Sequence, residues 1–299
     1  MKDSYIARGI SRDGSARIIC ADTTKTVDTA ASIHNTSKTM TAVLGRALTA
    51  SSIMGSLLKS IEDTMTLQIR GDGPGGLIVC CADSYGNVRG YAQNPQIELE
   101  PNASGKLDVG GAVGKGSIYV VKDMGLENPY VGYSPIVSGE IAEDITEYFA
   151  KSEQTPTVCN LGVRVEKEGG CKAAGGFILQ LLPFADEGII PALEENCAKI
   201  TSVSKLIEEG KTPEDIIGMV FDGIEYDMFD NVDISYKCVC NRDKYAASLV
   251  GLGVDELQEI ADDGEGAEIC CQFCNTKYVF TDAEIKELLE IAKSKKEKQ

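Results

Sequence analysis

SKTMTAVLGRALTASSIMGSLLK occupies residues 37–59, and TMTLQIR follows at residues 64–70. Apolar residues in the first stretch recur with the period of an α-helix, which predicts a helix capped by Asn35 or Thr36. Polar and apolar residues alternate strictly in the second stretch, as a strand with one buried face requires. A long helix followed by such a strand predicts that helices pack on a sheet in this part of the chain.

The N-terminal part of the chain, residues 1–182, is predicted to be a mixed α/β sheet domain. Other stretches with strand-like patterns follow, and Glu168–Gly170 predicts a hairpin turn. These further strands are predicted at residues 77–82, 88–91, 117–122, 160–166 and 173–182. Together with the helical and cysteine-rich segments after it, this domain places the whole chain in the α+β class.

A helical linker is predicted at residues 183–233. Residues 191–209 carry the apolar spacing of one helix, which ends before Gly210. Thr212 and Pro213 then predict the start of another helix, since a hydroxyl caps a helix N-terminus and proline is favoured at the first helical position. These helices are amphipathic but short, so they require a surface on which to pack.

The rest of the chain is predicted to form a small C-terminal domain, residues 234–293, followed by a solvated basic tail, residues 294–299. One short helix is predicted at residues 254–260. The capping box TDAE at residues 281–284 predicts another helix, at residues 285–293. Five of the 11 cysteines fall in this domain, so their spacing decides its chemistry.

The composition of the 299 residues limits the possible partners. Asp and Glu number 46 against 29 Lys and Arg, which gives a formal net charge of −17. This balance argues against a nucleic-acid partner, because phosphate backbones are bound by clustered cations. No apolar run approaches the ~20 residues of a membrane span, and the N-terminus lacks the apolar core of a signal peptide. We therefore expect a cytoplasmic protein with no membrane partner, whose thiols are mostly reduced.

Histidine is nearly absent, whereas cysteine is abundant. His34 is the single histidine, so a histidine-rich metal site is impossible, and we expect a surface or capping role for it just before a helix. Six cysteines are scattered through apolar segments and are predicted to be core residues, because a buried thiol behaves as a small hydrophobe. They are Cys20, Cys80, Cys81, Cys159, Cys171 and Cys197.

Two short-spaced cysteine pairs predict a zinc site. Cys238 and Cys240 form a CxC pair, and after 30 intervening residues Cys271 and Cys274 form a CxxC pair. Four thiolates make a closed tetrahedral zinc site, and short-spaced pairs are how a chain supplies them. Cys270 could replace Cys271 as a ligand, but the CxxC spacing favours Cys271 with Cys274. The alternative is a set of buried thiols without a metal.

The same sulfurs have a second chemistry. Thiols this close in sequence can be oxidised to strained disulfides, which are the labile and regulatory kind. A small metal domain draws its folding free energy from the ion, on the order of 10 kcal/mol for structural zinc. Conversion of the ligands to disulfides would release zinc and unfold the segment, so a site of this type can serve as a redox switch.

These motifs resemble those of the 33 kDa chaperonin family, the redox-regulated heat-shock holdases of bacteria. The resemblance rests first on the CxC and CxxC pairs and on their separation. It extends over nearly the whole chain, since other segments look like family signatures in the family's order. These segments are residues 41–48, 66–74, 152–157 and 174–183. The departures are small: Gly75 and Gly76 stand where a bulkier residue is usual, and Cys270 is an extra thiol.

The resemblance implies a chaperone rather than an enzyme. Such a protein binds unfolding client proteins without ATP and prevents their aggregation under oxidative and heat stress. In the reduced, inactive monomer, one zinc would be held by Cys238, Cys240, Cys271 and Cys274. Oxidation would join Cys238 to Cys240 and Cys271 to Cys274, release the zinc and unfold the C-terminal domain. The linker would then lose its docking partner, and the active form would be a homodimer.

A glycine-rich loop offers a competing interpretation. Residues 71–76 fit GxGxxG after a strand, a pattern typical of dinucleotide-binding enzymes. That fingerprint must open a helix whose N-terminus holds the pyrophosphate, whereas the next residues predict another strand. We therefore expect a tight turn and no nucleotide cofactor. In residues 110–116 the glycines and the lysine lie too close together in the sequence for a phosphate-binding P-loop.

Two further alternatives keep the four cysteines but change the function. A zinc-ribbon nucleic-acid-binding protein would use the same metal site, but the segment after Cys240 is rich in Asp and Glu, which repel phosphate. A thiol-disulfide oxidoreductase would use a CxxC pair, but that pair is expected in a thioredoxin-like βαβ unit. The redox-regulated chaperone is the leading hypothesis.

Overall fold

Helices and strands are interspersed along the chain in the computed structural model, which describes residues 3–296. The strands are β1 (Tyr5–Ser11), β2 (Ala16–Asp22), β3 (Thr64–Gly71), β4 (Ile78–Asp83), β5 (Val88–Ala92), β6 (Gly116–Asp123), β7 (Tyr130–Pro135), β8 (Thr157–Val165), β9 (Cys171–Leu181), β10 (Tyr226–Met228), β11 (Val232–Asp233), β12 (Ala267–Cys270) and β13 (Lys277–Phe280). The α-helices are α1 (Thr24–His34), α2 (Lys38–Gly55), α3 (Val109–Val113), α4 (Ala142–Lys151), α5 (Ile190–Lys199), α6 (Val203–Glu208), α7 (Pro213–Val220), α8 (Arg242–Leu252), α9 (Val254–Asp263) and α10 (Asp282–Lys296). The described elements fall into two compact units, which divide between Lys237 and Cys238.

Helix α2, which contains most of the opening stretch, lies between two antiparallel sheets of the N-terminal unit. One sheet has five strands in the order β5-β4-β3-β6-β7, and the other has six, in the order β10-β1-β2-β9-β8 with β11 also paired to β1. Every residue of α2 except Lys38 and Arg46 is buried, because both sheets turn an apolar face toward it. Within residues 3–296, neither α2 nor any other helix is long and apolar enough to cross a membrane.

The start of α2 differs from the predicted one. Ser37 is the cap, and its hydroxyl oxygen accepts a hydrogen bond from the backbone N–H of Met40 at 3.1 Å. Asn35 instead ends α1, where its backbone is left-handed with φ of 47°. The sequence analysis does not identify α1, since the buried stripe of this helix consists mainly of threonine and alanine instead of large apolar residues.

His34 lies at the C-terminal end of α1 and is half-buried. Its Nε2 lies 3.1 Å from the hydroxyl oxygen of Tyr236, and this hydroxyl also donates to the carbonyl oxygen of Gly90 in β5 at 2.8 Å. The expected surface or capping role does not include this contact. The histidine helps to hold the chain before the CxC pair on the edge of the five-stranded sheet.

The α+β class and the predicted strands are confirmed, the strands as β3, β4, β5, β6, β8 and β9. The sequence analysis misses β1 and β2 because neither shows a clean alternation. In β2, Ile19 faces the core around α2, whereas Ile18 and Cys20 face a second core on the other side of the sheet. A strand that is buried on both faces has no polar face, so its sequence carries no period of two.

The predicted linker contains three helices that cover the outer face of the six-stranded sheet. It is not helical throughout, because residues 226–228 and 232–233 form β10 and β11, which pair with β1. The apolar residues of the helices pack on Phe177 and Leu179 of β9 and on residues of β1 and β2. A glycine permits the close approach, since a Cβ on Gly175 would lie only 2.3 Å from Cδ1 of Ile207 in α6. The surface that these short helices require is thus the N-terminal sheet. The buried apolar residues that the linker contributes are Ile189, Leu193, Ile200, Val203, Ile216, Ile217, Val220 and Phe221.

Residues 191–209 form two helices, α5 and α6, instead of the single helix predicted. The break comes at Ser202, whose backbone is extended and whose hydroxyl caps α6 by accepting from the N–H of Lys205 at 3.3 Å. The start of α7 is as predicted. Thr212 and Asp215 form a capping box there, in which each side chain accepts a hydrogen bond from the other residue's backbone N–H.

The scattered cysteines are core residues only in part. Cys20, Cys80 and Cys171 are buried, whereas the other three are half-buried: Cys81, Cys159 and Cys197. Cys80 and Cys81 are neighbours on β4 and therefore point to opposite faces of the sheet. Only Cys80 faces the core around α2.

The C-terminal unit has its own small core, formed by three helices and the β12–β13 hairpin. Helices α9 and α10 confirm the two predicted helices, and the capping box between Thr281 and Glu284 is present. Residues 294–296 continue α10 instead of forming a tail, and residues 297–299 lie outside the described residues. Helix α8 is missed because only Leu249 of this helix is buried. The core residues are Leu249, Leu257, Ala261, Phe280, Ile285, Leu289 and Ala292.

Candidate metal centre

The CxC pair lies on an irregular stretch that leads into α8. Asn241 caps this helix, and its side chain accepts a hydrogen bond from the backbone N–H of Lys244 at 2.8 Å. The ammonium group of Lys244 returns to the stretch and donates to the carbonyl oxygen of Val239 at 3.0 Å. These two contacts fix the backbone that carries Cys238 and Cys240.

The CxxC pair lies in the turn of the β12–β13 hairpin. The backbone N–H of Cys271 donates to the carbonyl oxygen of Thr276 at 2.9 Å, and the N–H of Asn275 donates to the carbonyl oxygen of Cys271 at 2.8 Å. Asn275 has a left-handed backbone with φ of 57°, which asparagine tolerates better than most residues. The turn therefore closes tightly around Cys271 and Cys274.

The structure brings the sulfurs of both pairs together. The Sγ atoms of Cys238, Cys240, Cys271 and Cys274 all lie within 4.8 Å of one another. The distance between Cys238 and Cys271 is 3.7 Å, and that between Cys240 and Cys274 is 3.4 Å. Four sulfurs bound at ~2.3 Å to one tetrahedral ion lie about 3.8 Å apart, so this donor set fits zinc. All four cysteines are free thiols, and none is joined in a disulfide.

Cys270 lies outside the cluster. It is the last residue of β12, where it pairs with Lys277, and its side chain is exposed. Cys271 is only 1% exposed and lies among the other three sulfurs. Because neighbouring residues at the end of a strand point in different directions, the hairpin delivers only one of these two adjacent thiols to the centre.

Hydrogen-bond partners from outside the four cysteines surround the sulfurs. The hydroxyl of Tyr278 donates to Sγ of Cys240 at 3.1 Å, and a hydrogen bond to Cys271 raises the pKa of Tyr245. The thiol of Cys274 donates to the hydroxyl oxygen of Thr276 at 3.2 Å. The cluster therefore resembles metal centres in which outer partners orient the ligands.

The surroundings act differently on the thiols of Cys238, Cys240 and Cys271. Burial raises the pKa of Cys238 to about 12 and also raises the pKa of Cys240. Burial opposes the ionisation of Cys271 too, but hydrogen bonds from Tyr245 and from backbone N–H groups outweigh it and lower the pKa of Cys271 to about 6. Without a metal, Cys271 therefore ionises more readily at neutral pH than Cys238 or Cys240 does.

The two glycine-rich segments pack against each other. The N–H groups of Gly73 and Gly75 donate to the carbonyl oxygens of Val113 and Ala112 at 3.0 and 2.9 Å. A Cβ on Gly71 would lie 1.8 Å from the carbonyl oxygen of Val113, so the close backbone approach excludes a side chain there. The loop after β3 leads into strand β4 and not into a helix. This confirms the strand that the sequence analysis expects there. These glycines thus serve backbone packing.

The surroundings of the CxxC pair differ from those of a thioredoxin-type site. The pair lies in a hairpin turn between two short antiparallel strands, whereas the thioredoxin motif belongs to a βαβ unit. Sequence reasoning identifies the four sulfurs but misses Tyr245, Tyr278 and Asn241. The only sequence signal for them is their position close to the two cysteine pairs, and this position does not show where the hydroxyls point.

Comparison with known proteins agrees with this architecture. A family model described as "Hsp33 protein" matches residues 4–281. The 33 kDa chaperonin of Clostridioides difficile is 47% identical over 291 residues, which cover 97% of this chain and 99% of the relative. That of Ruminiclostridium cellulolyticum is 46% identical, with 96% and 98% covered.

A solved structure is similar as well. The crystal structure of a 33 kDa chaperonin, a heat shock protein 33 homologue from Thermotoga maritima, matches with a TM-score of 0.89 and 37% sequence identity. The match covers 98% of this chain and all of the other. Fold and sequence similarity along nearly the whole length agree. The chain therefore belongs to the Hsp33 family.

Proposed function

We propose that this chain is a redox-regulated, ATP-independent holdase that is inactive when reduced and is activated by oxidation of its four clustered cysteines. The observation that carries the proposal is the approach of four free Sγ atoms to within 4.8 Å of one another. Membership of a family named for heat-shock chaperonins supports a chaperone. A cytoplasmic setting, in which thiols are kept reduced until an oxidant appears, fits this role.

In the reduced chain one zinc would be held by Cys238, Cys240, Cys271 and Cys274. The bound cation would keep all four sulfurs ionised and cross-link the CxC stretch to the hairpin. Residues around the cysteines favour this zinc-bound arrangement of the sulfurs. Backbone N–H groups and three hydroxyls surround the sulfurs, and Asn241 and Asn275 set the two backbones that carry them.

Oxidation would pair Cys238 with Cys240 and Cys271 with Cys274. Each pair of thiolates gives two electrons to one hydrogen peroxide molecule, which takes up two protons and leaves as two waters, while one S–S bond forms. Each disulfide removes two ligands from the centre. Among the described residues, the core of the C-terminal unit consists of seven buried apolar residues, so loss of the cross-link, worth on the order of 10 kcal/mol, would unfold the unit.

Activation would also require the linker to leave its docking surface. The resemblance implies a docking partner that is lost on oxidation, whereas the structure shows the linker helices packed on the six-stranded sheet of the N-terminal unit. Release would therefore expose two apolar surfaces, the outer face of this sheet and the buried face of the helices. We propose that unfolding clients bind these surfaces and that the oxidised form is a homodimer.

In this proposal residues 1–182 are the core domain, residues 183–233 the linker and residues 234–293 the switch domain. The test compares suppression of the thermal aggregation of a client by the reduced, zinc-loaded protein and by protein treated with hydrogen peroxide at raised temperature. We expect only the oxidised protein to suppress aggregation. Equal activity in the two states would contradict the proposal.

Two matched variants sharpen this test. Cys271→Ser removes one ligand, and we expect the variant to lose zinc and to be active without oxidant. Cys270→Ser changes the neighbouring thiol, which lies outside the cluster, and should behave as the wild type does. If both variants behave alike, the cluster is not the switch.

A further inference from the structure

Two tyrosines of the C-terminal unit meet beside the four sulfurs. Tyr245 lies in the first turn of α8, the helix that follows the CxC pair, and Tyr278 lies in β13, the strand that follows the CxxC pair. Their ring centroids are 4.9 Å apart, and the ring planes are inclined by 38°. The two halves of the centre are therefore joined by a ring contact as well as by the approach of the sulfurs.

The hydroxyl contacts of these tyrosines run crosswise between the two halves. Tyr245 belongs to the CxC half, but its ring packs on Tyr278 of the hairpin, and a hydrogen bond to Cys271 in the hairpin raises the pKa of its hydroxyl. Tyr278 belongs to the hairpin, but its hydroxyl donates to Sγ of Cys240 at 3.1 Å. Each half thus supplies a donor to one sulfur of the other half, and the two donors reach two different cysteine pairs.

These hydrogen bonds depend on the state of the sulfurs. A neutral thiol is a weak acceptor, whereas a hydrogen bond to an ionised acceptor is roughly twice as strong as a neutral one. A disulfide sulfur is likewise uncharged. The two hydroxyls are therefore held most strongly when Cys240 and Cys271 are thiolates, which is the state that a bound cation favours. Ring packing alone would not require the hydroxyl groups.

We propose that Tyr245 and Tyr278 are positioning residues that cross-brace the two halves of the centre and favour its metal-loaded, reduced state over its oxidised state. The inference rests on the proposed function in one respect, namely that the four sulfurs hold zinc in the reduced chain. The hydroxyls preorganise the ligand sulfurs, and by donating to them they also withdraw electron density from the atoms that attack an oxidant. Loss of a hydroxyl should therefore weaken metal binding and speed oxidation.

The test uses the full chain with Tyr245→Phe, Tyr278→Phe and both changes together. Phenylalanine keeps the ring contact and removes only the hydroxyl. Tyr85→Phe is the matched control, because Tyr85 is 48% exposed and lies in the N-terminal unit. Zinc affinity is measured by competition with a chromophoric chelator. The rate of zinc release is measured at a fixed hydrogen peroxide concentration. In this reaction each cysteine pair gives two electrons to one hydrogen peroxide molecule.

Outer partners of metal ligands typically change metal affinity by about 10- to 100-fold, and we expect losses in this range for Tyr245→Phe and Tyr278→Phe, with faster zinc release. A second readout is the sulfur-to-metal charge-transfer band of the cobalt-substituted protein. We expect this band to shift in both variants and not in Tyr85→Phe, whereas a role in packing alone would leave it unchanged.

The possible failures are distinguishable. A wild-type chain that binds no zinc would contradict the proposed function. A wild-type chain that binds zinc and releases it on oxidation, together with Phe variants of unchanged affinity and an unchanged cobalt band, would overturn the role of the tyrosines alone.

Discussion

Ile217 offers a direct test of whether the docked linker masks the client-binding surface. It lies in α7 and is fully buried. Its side chain packs closely on Gly9 of β1, since a Cβ added to this glycine would lie 3.1 Å from Cγ2 of Ile217. Replacement by alanine removes apolar contacts between the linker and the six-stranded sheet and leaves a cavity there. The change lies in the N-terminal unit, so the four cysteines are untouched and the zinc content should stay at one per chain.

The size of the effect follows from burial. Replacing a fully buried isoleucine by alanine costs about 2–5 kcal/mol. Since about 1.4 kcal/mol changes an equilibrium tenfold, Ile217→Ala should raise the undocked fraction of the linker by about 30-fold or more. Ile217→Val costs about 0.5–1.5 kcal/mol and should raise it by about 2- to 12-fold.

The assay measures aggregation suppression by the reduced, zinc-loaded variants, with limited proteolysis of residues 190–220 as an independent measure of undocking. We expect suppression to rise from wild type through Ile217→Val to Ile217→Ala, in step with the rate of proteolysis. Ile61→Ala is the matched control, because Ile61 is 61% exposed and its removal should change neither quantity. Faster proteolysis without any gain in suppression would refute the reasoning, since the exposed surface would then not bind clients.

Three further outcomes are expected. Thr212→Ala removes the capping box of α7 and should destabilise the N-terminal unit by about 1 kcal/mol. For a unit of this size, calorimetry should then show a Tm lower by about 2–4 °C, whereas Thr212→Ser should keep the wild-type Tm. Burial raises the pKa of Cys20 and Cys80, so these thiols should resist iodoacetamide at neutral pH while exposed Cys270 is alkylated; mass spectrometry that finds equal labelling would contradict the burial. Removal of zinc by a chelator from the reduced protein should make the linker and the chain after Lys237 sensitive to protease while residues 3–182 keep their amide-exchange protection; loss of protection in residues 3–182 as well would contradict the proposed division into core, linker and switch domains.

Some elements of the fold could be predicted from the sequence because one of their faces is polar and the other apolar. Strand β3 alternates between buried and exposed residues, and α7 carries both a capping box and an apolar stripe, so both were identifiable. Strand β2 lies between two cores, and α1 buries small residues, so neither left a periodic signal. The break between α5 and α6 depends on docking to the sheet, which the apolar spacing of residues 191–209 does not record.

The candidate site likewise has a part that the sequence predicts and a part that it does not. The spacing of the CxC and CxxC pairs is a local property, so the sequence alone identifies the four sulfurs that the structure brings together. The choice of Cys271 over Cys270 follows from the direction of the hairpin turn. The crosswise contacts of Tyr245 and Tyr278 depend on how α8 and the hairpin pack, which no local pattern encodes.

The central claim is that oxidation of the cysteine cluster and activation are one event. The most direct measurement titrates the reduced, zinc-loaded protein with hydrogen peroxide at raised temperature and follows zinc release with a chelating dye and client aggregation by light scattering in the same samples. We expect one zinc per chain to be released, and suppression of aggregation to rise in proportion to it. Suppression that is complete while the zinc is still bound would contradict the account.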